Sequence, residues 1–489
     1  MATAIALPTL TVSDDELALV NEMLARLARY IPKNRVAEEY YEGRNRLKSL
    51  NISIPPHLNG IETVVGWAGT AVDVLDERLE WQGWTSNDGN DFGLGEIYTQ
   101  NTLDVDSGLG HLDTLVYGTG FVVVGTGYDG EPNPLITIES PKNMTGIWDN
   151  RLRRLSSALA VNAWGESGAA VEVTLYTSYA NITLAKNGSR WLVVDRDDHN
   201  IGRVMVAQMS NRPRASRQGG RSEITRAIRS YVDQGVRTML GMEVNREFYS
   251  VPQRYMLGAD MSMFTDETGN MASAWEVVAG RMLAIGDPVD DQGEPDKDRR
   301  VEVGQFTAAS PAPYAEQLRL LSQMVAAESA LPASYFGFVT ANPSSADAIR
   351  QEEARLIKRA ERRQLMFGRT WNEVGKLAIL ARDGKNADLS GFVNISAKWR
   401  DAATPTRSAS ADEAVKLITS GVLTPDSQVT YDRIGLSPQE QKQLANDKRR
   451  AQASQRIADI KEALTATSTT APAVAAVGAP EGASEEADE

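Results

Sequence analysis

SSADAIRQEEARLIKRAERRQLMFGRTWNEVGKLAILAR, residues 344–382, carries the longest helical pattern in the chain. Ser344 with Asp347 supplies a start signal of the capping type, and Ile349, Leu356, Ala360, Phe367, Trp371, Val374 and Ala378 then recur at helical spacings. A helix from Ser345 to Arg382 would be about 57 Å long. One apolar seam of that length needs neighbours along all of it, from other elements or other chains. Together with the β-rich runs of the first half, this gives an expected fold class of α+β, mainly helical.

On its N-terminal side a helix is expected from about Pro313 to Leu331, with Leu318, Leu321 and Val325 as its seam and Pro332 as its stop. The short loop PASYFGFVTANPS, 332–344, joins the two. On the C-terminal side FVNISAKW, 392–399, reads as a strand. The linker RDAATPTRSAS, 400–410, leads to helical ADEAVKLITSG, a turn at Leu423 to Pro425 and a charged helix from Ser437-Pro438. Residues 407–465 thus read as a small helical domain. The tail 466–489, rich in Ala, Thr and Pro and closing on EGASEEADE, has the composition of a disordered acidic segment.

In the first half, Ser13 and Glu16 form a capping box, and Leu17, Val20, Leu24, Leu27 and Ile31 give an amphipathic helix expected to stop at Pro32. A second helix is expected from Leu58 to Arg78, broken by WQGW. From Phe121 to Met209 the pattern becomes short β-rich runs, FVVV, LITI, VEVTLY, NITLA and RWLVV, with Asn187-Gly188 as a hairpin signal. Residues 212–229 then hold six arginines, Arg212, Arg214, Arg217, Arg221, Arg226 and Arg229, against Glu223 alone. After Gly219-Gly220, Ser222 is placed to cap a helix with the seam Ile224, Ile228, Val232, Val236 and Met239, running to about Phe248. Residues 249–311 form a mixed insert with a strand at WEVVAGRMLAI and an exposed loop at DPVDDQGEPDKDRR.

Composition narrows the function. The chain has 489 residues, 42% hydrophobic and 24% charged, enough for several folding units. Its 51 Lys plus Arg against 65 Asp plus Glu give a formal charge of -14, so contact with nucleic acid has to be local. Cysteine is absent, which removes thiolate nucleophiles, disulfides and cysteine-ligated metals. The histidines His57, His111 and His199 are widely separated, no Walker A loop follows Gly375-Lys376 or Gly384-Lys385, and neither Gly-x-Ser-x-Gly nor His-Glu-x-x-His occurs. Asp104, Asp106 and Gly108 in DVDSG lack the remaining ligands of a calcium loop and read as a solvated turn. YGTGFVVVGTG continues into β-branched residues after Gly120, which favours a hairpin over a dinucleotide site. No apolar run is long enough to span a bilayer. No catalytic residue, metal or cofactor is expected.

The order of several segments resembles the portal proteins of tailed double-stranded DNA bacteriophages, in the subgroup with wing, stem, clip and crown. The carriers are YYEGRNRL at 40–47, VVGWAGTAVDVLDERLEWQGW, YGTGFVVVGTG with ESPKNMTGIWD, SEITRAIRSYVDQGVRTMLGMEVNREFYSVPQRYMLG, LPASYFGFVTANPSSADAIRQEEARLIKRAERR and SASADEAVKLITSGVLT. The resemblance implies an α/β wing (1–220 with 392–406), a stem of two helices (221–248 and 312–331), an α/β clip (249–311), a tunnel loop (332–344), a long helix beneath the wing (345–383) and a helical crown (407–465). It implies a homo-oligomeric ring, typically of twelve subunits, at one capsid vertex of the virion. Double-stranded DNA would pass along the axis without sequence specificity. The terminase large subunit, a head-tail adaptor, and major capsid and scaffold proteins would be its partners, with assembly in the bacterial cytoplasm.

The implied tunnel-loop contacts are Tyr335, Phe336, Phe338, Val339 and Asn342. Arg221, Arg226, Arg229 and Arg237 are the stem candidates, and Asp287, Asp290, Asp291, Glu294, Asp296 and Lys297 mark the clip face for terminase or adaptor. Two other readings stay open from the residues alone: another structural subunit of a virus head, and an enzyme whose active site follows no motif.

Overall fold

The structure is a computed structural model that describes residues 12–45, 62–249, 254–257, 302–305, 310–337, 346–403, 407–436 and 438–468. It divides into two compact units, Met1–Ala403 and Thr404–Glu489.

The first unit is layered. Helix α1 (Asp14–Tyr41) starts at the Ser13/Glu16 capping box, as its sequence requires. Its Val20, Met23 and Leu27 pack on Leu159, Val161, Val173, Leu175, Ile182, Leu184 and Val193 from one face of an antiparallel five-stranded meander. The strands are β4 (Met144–Asp149), β5 (Arg154–Trp164), β6 (Ala170–Tyr176), β7 (Asn181–Asn187) and β8 (Arg190–Asp197). The turn between β7 and β8 has Gly188, at φ 61°, as its first central residue, with Asn187 paired to Arg190. The hairpin signal is therefore met one residue further on, by Gly-Ser.

The other face of this sheet meets a three-stranded sheet in the order β3-β2-β9: β2 (Thr119–Gly125), β3 (Leu135–Glu139) and β9 (Val206–Ser210). The period of two divides β2 cleanly. Phe121 and Val123 join Met144, Leu155, Ala158, Ala160 and Val206 between the sheets, while Val122 and Val124 face the opposite core.

That opposite core is organised by the long helix. After α2 (Trp67–Asp76), α3 (Leu94–Gln100), α4 (Leu103–Tyr117) and α5 (Arg226–Tyr249) come α6 (Ala312–Ser329) and α7 (Ala346–Asp383). In α7, Leu356, Ala360, Phe367, Trp371, Val374 and Ala378 are all fully buried. Trp371 stacks on Trp81 at 4.0 Å between ring centroids, accepts at its carbonyl a 2.9 Å bond from Trp84 Nε1, and donates its own Nε1 to His111 Nε2 at 2.9 Å. Burial lowers the His111 pKa to about 3, so the ring is a neutral acceptor in the core. Trp81 and Trp84 belong to β1 (Trp81–Ser86), which pairs antiparallel with β12 (Ile395–Trp399), so WQGW and ISAKW form one ribbon.

Several expectations are corrected. The first helix does not stop at Pro32 but runs on to Tyr41. Proline forfeits one helical bond, and docking beyond it compensates: Ala37 is buried, Asn34 Nδ2 donates to the Pro141 carbonyl at 3.0 Å, and Tyr40 Oη donates to Asp233 at 2.8 Å. The second helix begins only at Trp67, after the irregular stretch 62–65; residues 58–61 lie outside the described residues. DVDSG is no turn. Asp104 and Asp106 occupy the first turn of α4, where the helix dipole favours carboxylates.

The strand expected at 392–399 covers only Ile395–Trp399, because residues 390–394 form a 3₁₀ turn. Among the described residues of the insert, β10 (Arg254–Leu257) pairs with β11 (Glu302–Gln305). The strand expected at 275–285 lies outside them.

The second unit contains α8 (Arg407–Thr419), α9 (Gln428–Ile434) and α10 (Pro438–Ser468). Helix α8 starts four residues earlier than its charge pattern suggested. The sequence reading missed α9, a short helix capped by Ser427, whose Oγ accepts from Thr430 N at 3.2 Å. Helix α10 continues to Ser468, into the segment expected to be disordered.

Candidate functional site

Helices α5 and α6 are an antiparallel pair. Thr225 Oγ1, just before α5, donates to Glu328 near the end of α6 at 2.9 Å, and Gly241 in α5 lies against the Tyr314 ring near the start of α6. The α5 cap is Thr225 and not Ser222: Thr225 Oγ1 accepts from Ile228 N at 3.3 Å, whereas Ser222 Oγ accepts from Ile224 N at 3.0 Å in the preceding turn. Of the expected seam, Ile224, Ile228, Val232 and Val236 are buried and Met239 is half-buried against the same core.

The lone glutamate of the basic run is the anchor of this helix pair. Glu223 is 2% exposed. Its carboxylate accepts from Arg363, from Arg359 at 2.7 Å and from Arg212 at 3.4 Å, while Asn211 Nδ2 donates to it at 3.1 Å. Burial alone would raise its pKa, but Arg363, Arg359 and Arg212 outweigh that and hold the carboxyl below its ordinary value. Arg359 and Arg363 sit one turn apart on α7, so the head of α5 is fixed to the long helix by a buried ion cluster. The sequence signal was present, in one acidic residue among six arginines and an i,i+4 arginine pair beside an apolar seam, but nothing in the spacing linked the two.

The four candidate arginines of the stem have different surroundings. Arg226 is exposed, whereas Arg221, Arg229 and Arg237 are half-buried. The Arg229 guanidinium lies 5.9 Å from the Tyr40 ring centroid, and the Nε atoms of Arg229 and Arg237 are buried with no hydrogen-bond partner among the described residues. Burial, with Arg212 and Arg214 nearby, lowers the Arg221 pKa. Arg221, Arg226 and Arg229 line one cleft with a cavity volume of about 580 Å³; Arg237 does not line it.

At the expected tunnel loop, Ala333–Phe336 form a 3₁₀ turn ended by Gly337 at φ 88°. Phe336 is half-buried against the main core. Tyr335 is 36% exposed; its Oη donates to Glu353 at 2.7 Å and accepts from Arg78 Nη2 at 3.2 Å. Arg78 also donates to the Ala402 carbonyl at 3.0 Å. Sequence reasoning singled out neither Arg78 nor Glu353. Phe338, Val339 and Asn342, and the clip residues Asp287, Asp290, Asp291, Glu294, Asp296 and Lys297, lie outside the described residues. Among the described residues no helix is long and apolar enough to cross a membrane.

Comparison with known proteins places this α+β chain among the structural proteins of phage particles. The model of the phage portal protein family, SPP1 Gp6-like, matches residues 21–454, and the chain belongs to that family. The portal protein of Mycobacterium phage L5 is 30% identical over 416 residues, covering 83% of this chain and 82% of that protein. The portal protein of Mycobacterium phage D29 is 30% identical over 411 residues, with 82% of each chain covered. Among solved structures, a neck of an empty GTA particle computed with C6 symmetry aligns at a TM-score of 0.44 and 12% identity, over 76% of this chain and 91% of that one. The chain is thus a portal protein, a component of the virion.

Proposed function

We propose that the chain is one subunit of a ring, typically of twelve copies, at a single capsid vertex, and that double-stranded DNA passes along the ring axis during packaging and ejection. The observation that carries this reading is membership of the portal family across residues 21–454. In this reading residues 1–220 with 392–406 are the wing, α5 and α6 the stem, 249–311 the clip, 332–344 the tunnel loop, α7 the helix beneath the wing, and 407–465 the crown. The clip, with Asp287, Asp290, Asp291, Glu294, Asp296 and Lys297, docks the terminase large subunit and later a head-tail adaptor. The wing meets major capsid and scaffold proteins.

The chain carries a formal charge of -14, so an assembled ring as a whole has little attraction for phosphates. A conduit that lets the duplex slide without sequence readout fits that balance. Tyr335, Phe336, Phe338, Val339 and Asn342 are the assigned loop contacts; the stem candidates Arg221, Arg226, Arg229 and Arg237 supply local positive charge to the tunnel or to the neighbouring subunit. The reading requires no catalytic group.

Native mass measurement with negative-stain imaging of the purified full chain tests the assignment. A ring with an axial hole is expected. Closed shells would make the protein a shell subunit, and saturable turnover by the pure chain would make it an enzyme.

A further inference from the structure

Among the described residues, the cleft that takes in Arg221, Arg226 and Arg229 is lined by seven basic side chains and by no carboxylate. Arg26 and Lys33 come from α1, Arg214, Arg217 and Arg221 from the loop after β9, and Arg226 and Arg229 from the start of α5. Arg214 and Arg217 are exposed and are held together by reciprocal backbone bonds of 3.0 and 2.8 Å. The nearest acidic residue in sequence, Glu223, is buried and already shared by Arg212, Arg359 and Arg363. Of the rim cations Arg221 feels the charges of Glu223 and Glu328, while Arg214 and Arg217 stand out at the surface.

The floor is different in kind. Tyr117, Phe121, Met144 and Ile224 stand there beside Asn34, Thr119, Thr145 and Gln208, so the cleft is a part-apolar socket with a guanidinium-rich rim. Arginine over lysine, together with Tyr, Phe and Met, is the composition of protein–protein interface cores. A wall that tracks a duplex is instead a continuous basic stripe aimed at the phosphates.

Elsewhere on the same chain a patch has the opposite character. Val105 and Leu109, one turn apart on the outer face of α4, are 67% and 59% exposed. Asp104 and Asp106 flank Val105 in the first turn of that helix. An apolar pair with two carboxylates beside it complements a part-apolar socket rimmed by arginines. A chain of net charge -14 also repels its own copies unless contacts of opposite sign are placed to meet.

We propose that the α1/α5 cleft is the seat for the Asp104–Leu109 knob of a second copy of this chain, a head-to-tail contact between neighbours in the ring. Because socket and knob are different patches, the contact is heterologous, and repeating it generates a ring or an open filament and not a closed dimer. The proposal rests on the portal reading for the closed ring.

The experiment uses the full chain in two charge-reversed forms, Arg214→Glu/Arg217→Glu and Asp104→Lys/Asp106→Lys. Oligomers are read by native mass and imaging, and folding by circular dichroism and melting. Each variant alone is expected to shift from rings to monomers. A one-to-one mixture is expected to recover rings of even subunit number, because each reversed socket then meets a reversed knob and each original socket an original knob. Recovery on mixing cannot come from misfolded variants. Rings that persist in both single variants, or that do not return in the mixture, overturn the seat. Intact rings that have lost only retention of duplex DNA also overturn it and make the cleft a nucleic-acid site. Wild-type chain that forms no ring sinks the channel reading and this contact with it, whereas wild-type rings indifferent to both reversals sink the contact alone.

Discussion

Arg363 of the long helix closes on Glu223 at the head of α5 across 140 residues of sequence, and both side chains are at least 95% buried. The pair, with Arg359 alongside, is where the helix pair assigned to the stem is coupled to the core of the first unit. Replacing Glu223 by Gln would leave two buried guanidiniums without their counter-charge. Removing one partner of a buried pair costs about 3 kcal/mol or more. The main unfolding transition of Glu223→Gln in urea should therefore move to clearly lower denaturant. Glu361→Gln, which loses only the exposed contact to Lys358 at 2.9 Å, should change stability by no more than about 0.5 kcal/mol. Equal effects of the two changes would show that the buried cluster does not brace the fold.

Asp76 gives stability a pH dependence of unusual sign for a carboxylate. Burial, then Asp73 and Glu77, push its pKa up to about 7 from an ordinary 3.8, and its Oδ1 has no hydrogen-bond partner among the described residues. Between these values the folded chain binds the proton and the unfolded chain does not, so stability falls as pH rises from about 4 to about 7. The shift corresponds to a loss on the order of 4 kcal/mol at alkaline pH. Urea midpoints at pH 5 and pH 8 should differ in that direction, and Asp76→Asn should shrink the difference. Glu223 acts in a separate window, since its lowered pKa makes its contribution fade only as pH drops below about 4.5. An unchanged difference in Asp76→Asn would remove Asp76 as its source.

How much of this was legible in the sequence depended on whether one element or two decided each feature. The α7 seam was readable because Leu356 through Ala378 repeat on one helix face, and a buried face imposes that period by itself. The seam of α5 and the capping box at Ser13 were readable for the same local reason. Pro32 misled because its local cost is overridden by Asn34, Ala37 and Tyr40, whose partners lie far along the chain. The ring contacts of Trp81 with Trp371 and the Arg78–Tyr335–Glu353 group were equally invisible, since no spacing rule joins Trp81 to Trp371 or Arg78 to Tyr335 across hundreds of positions, nor Tyr335 to Glu353 across 18.

Gly235 sits in α5 where the Trp67 ring of α2 packs; a Cβ there would come within 2.7 Å of Trp67 Cζ3. Alanine is about 1 kcal/mol better than glycine in a helix interior, whereas overpacking a fixed ring costs about 1–3 kcal/mol. Gly235→Ala should thus destabilise the chain despite the gain in propensity. In the double variant with Trp67→Leu the loss from the alanine should shrink, a coupling read by a double-mutant cycle. Additive effects would show that the two residues do not press on each other.

The base of the assigned tunnel loop is latched at Tyr335, whose hydroxyl bridges Arg78 and Glu353, while the next residue, Phe336, is wedged into the core. The two aromatic residues thus have separable roles. Tyr335→Phe removes only the bridge, a loss of about 1–2 kcal/mol confined to the turn. The amides of Tyr335 and Gly337, bonded at 3.2 Å to Pro332 and Ser334, should then exchange faster with solvent while global stability barely moves. Replacing Tyr335 through Val339 by Gly and Ser removes the bridge, the wedge and every apolar contact the loop can offer to a duplex. Rings should survive this change, because the α5/α6 pair and the Glu223 cluster are untouched, but packaged or retained DNA should fall. Phe336→Leu, which keeps an apolar wedge, separates the two causes: near-normal packaging in Phe336→Leu with a deficit in the full replacement assigns the effect to the loop surface. Packaged genome length unchanged in the full replacement would remove these residues from the DNA path.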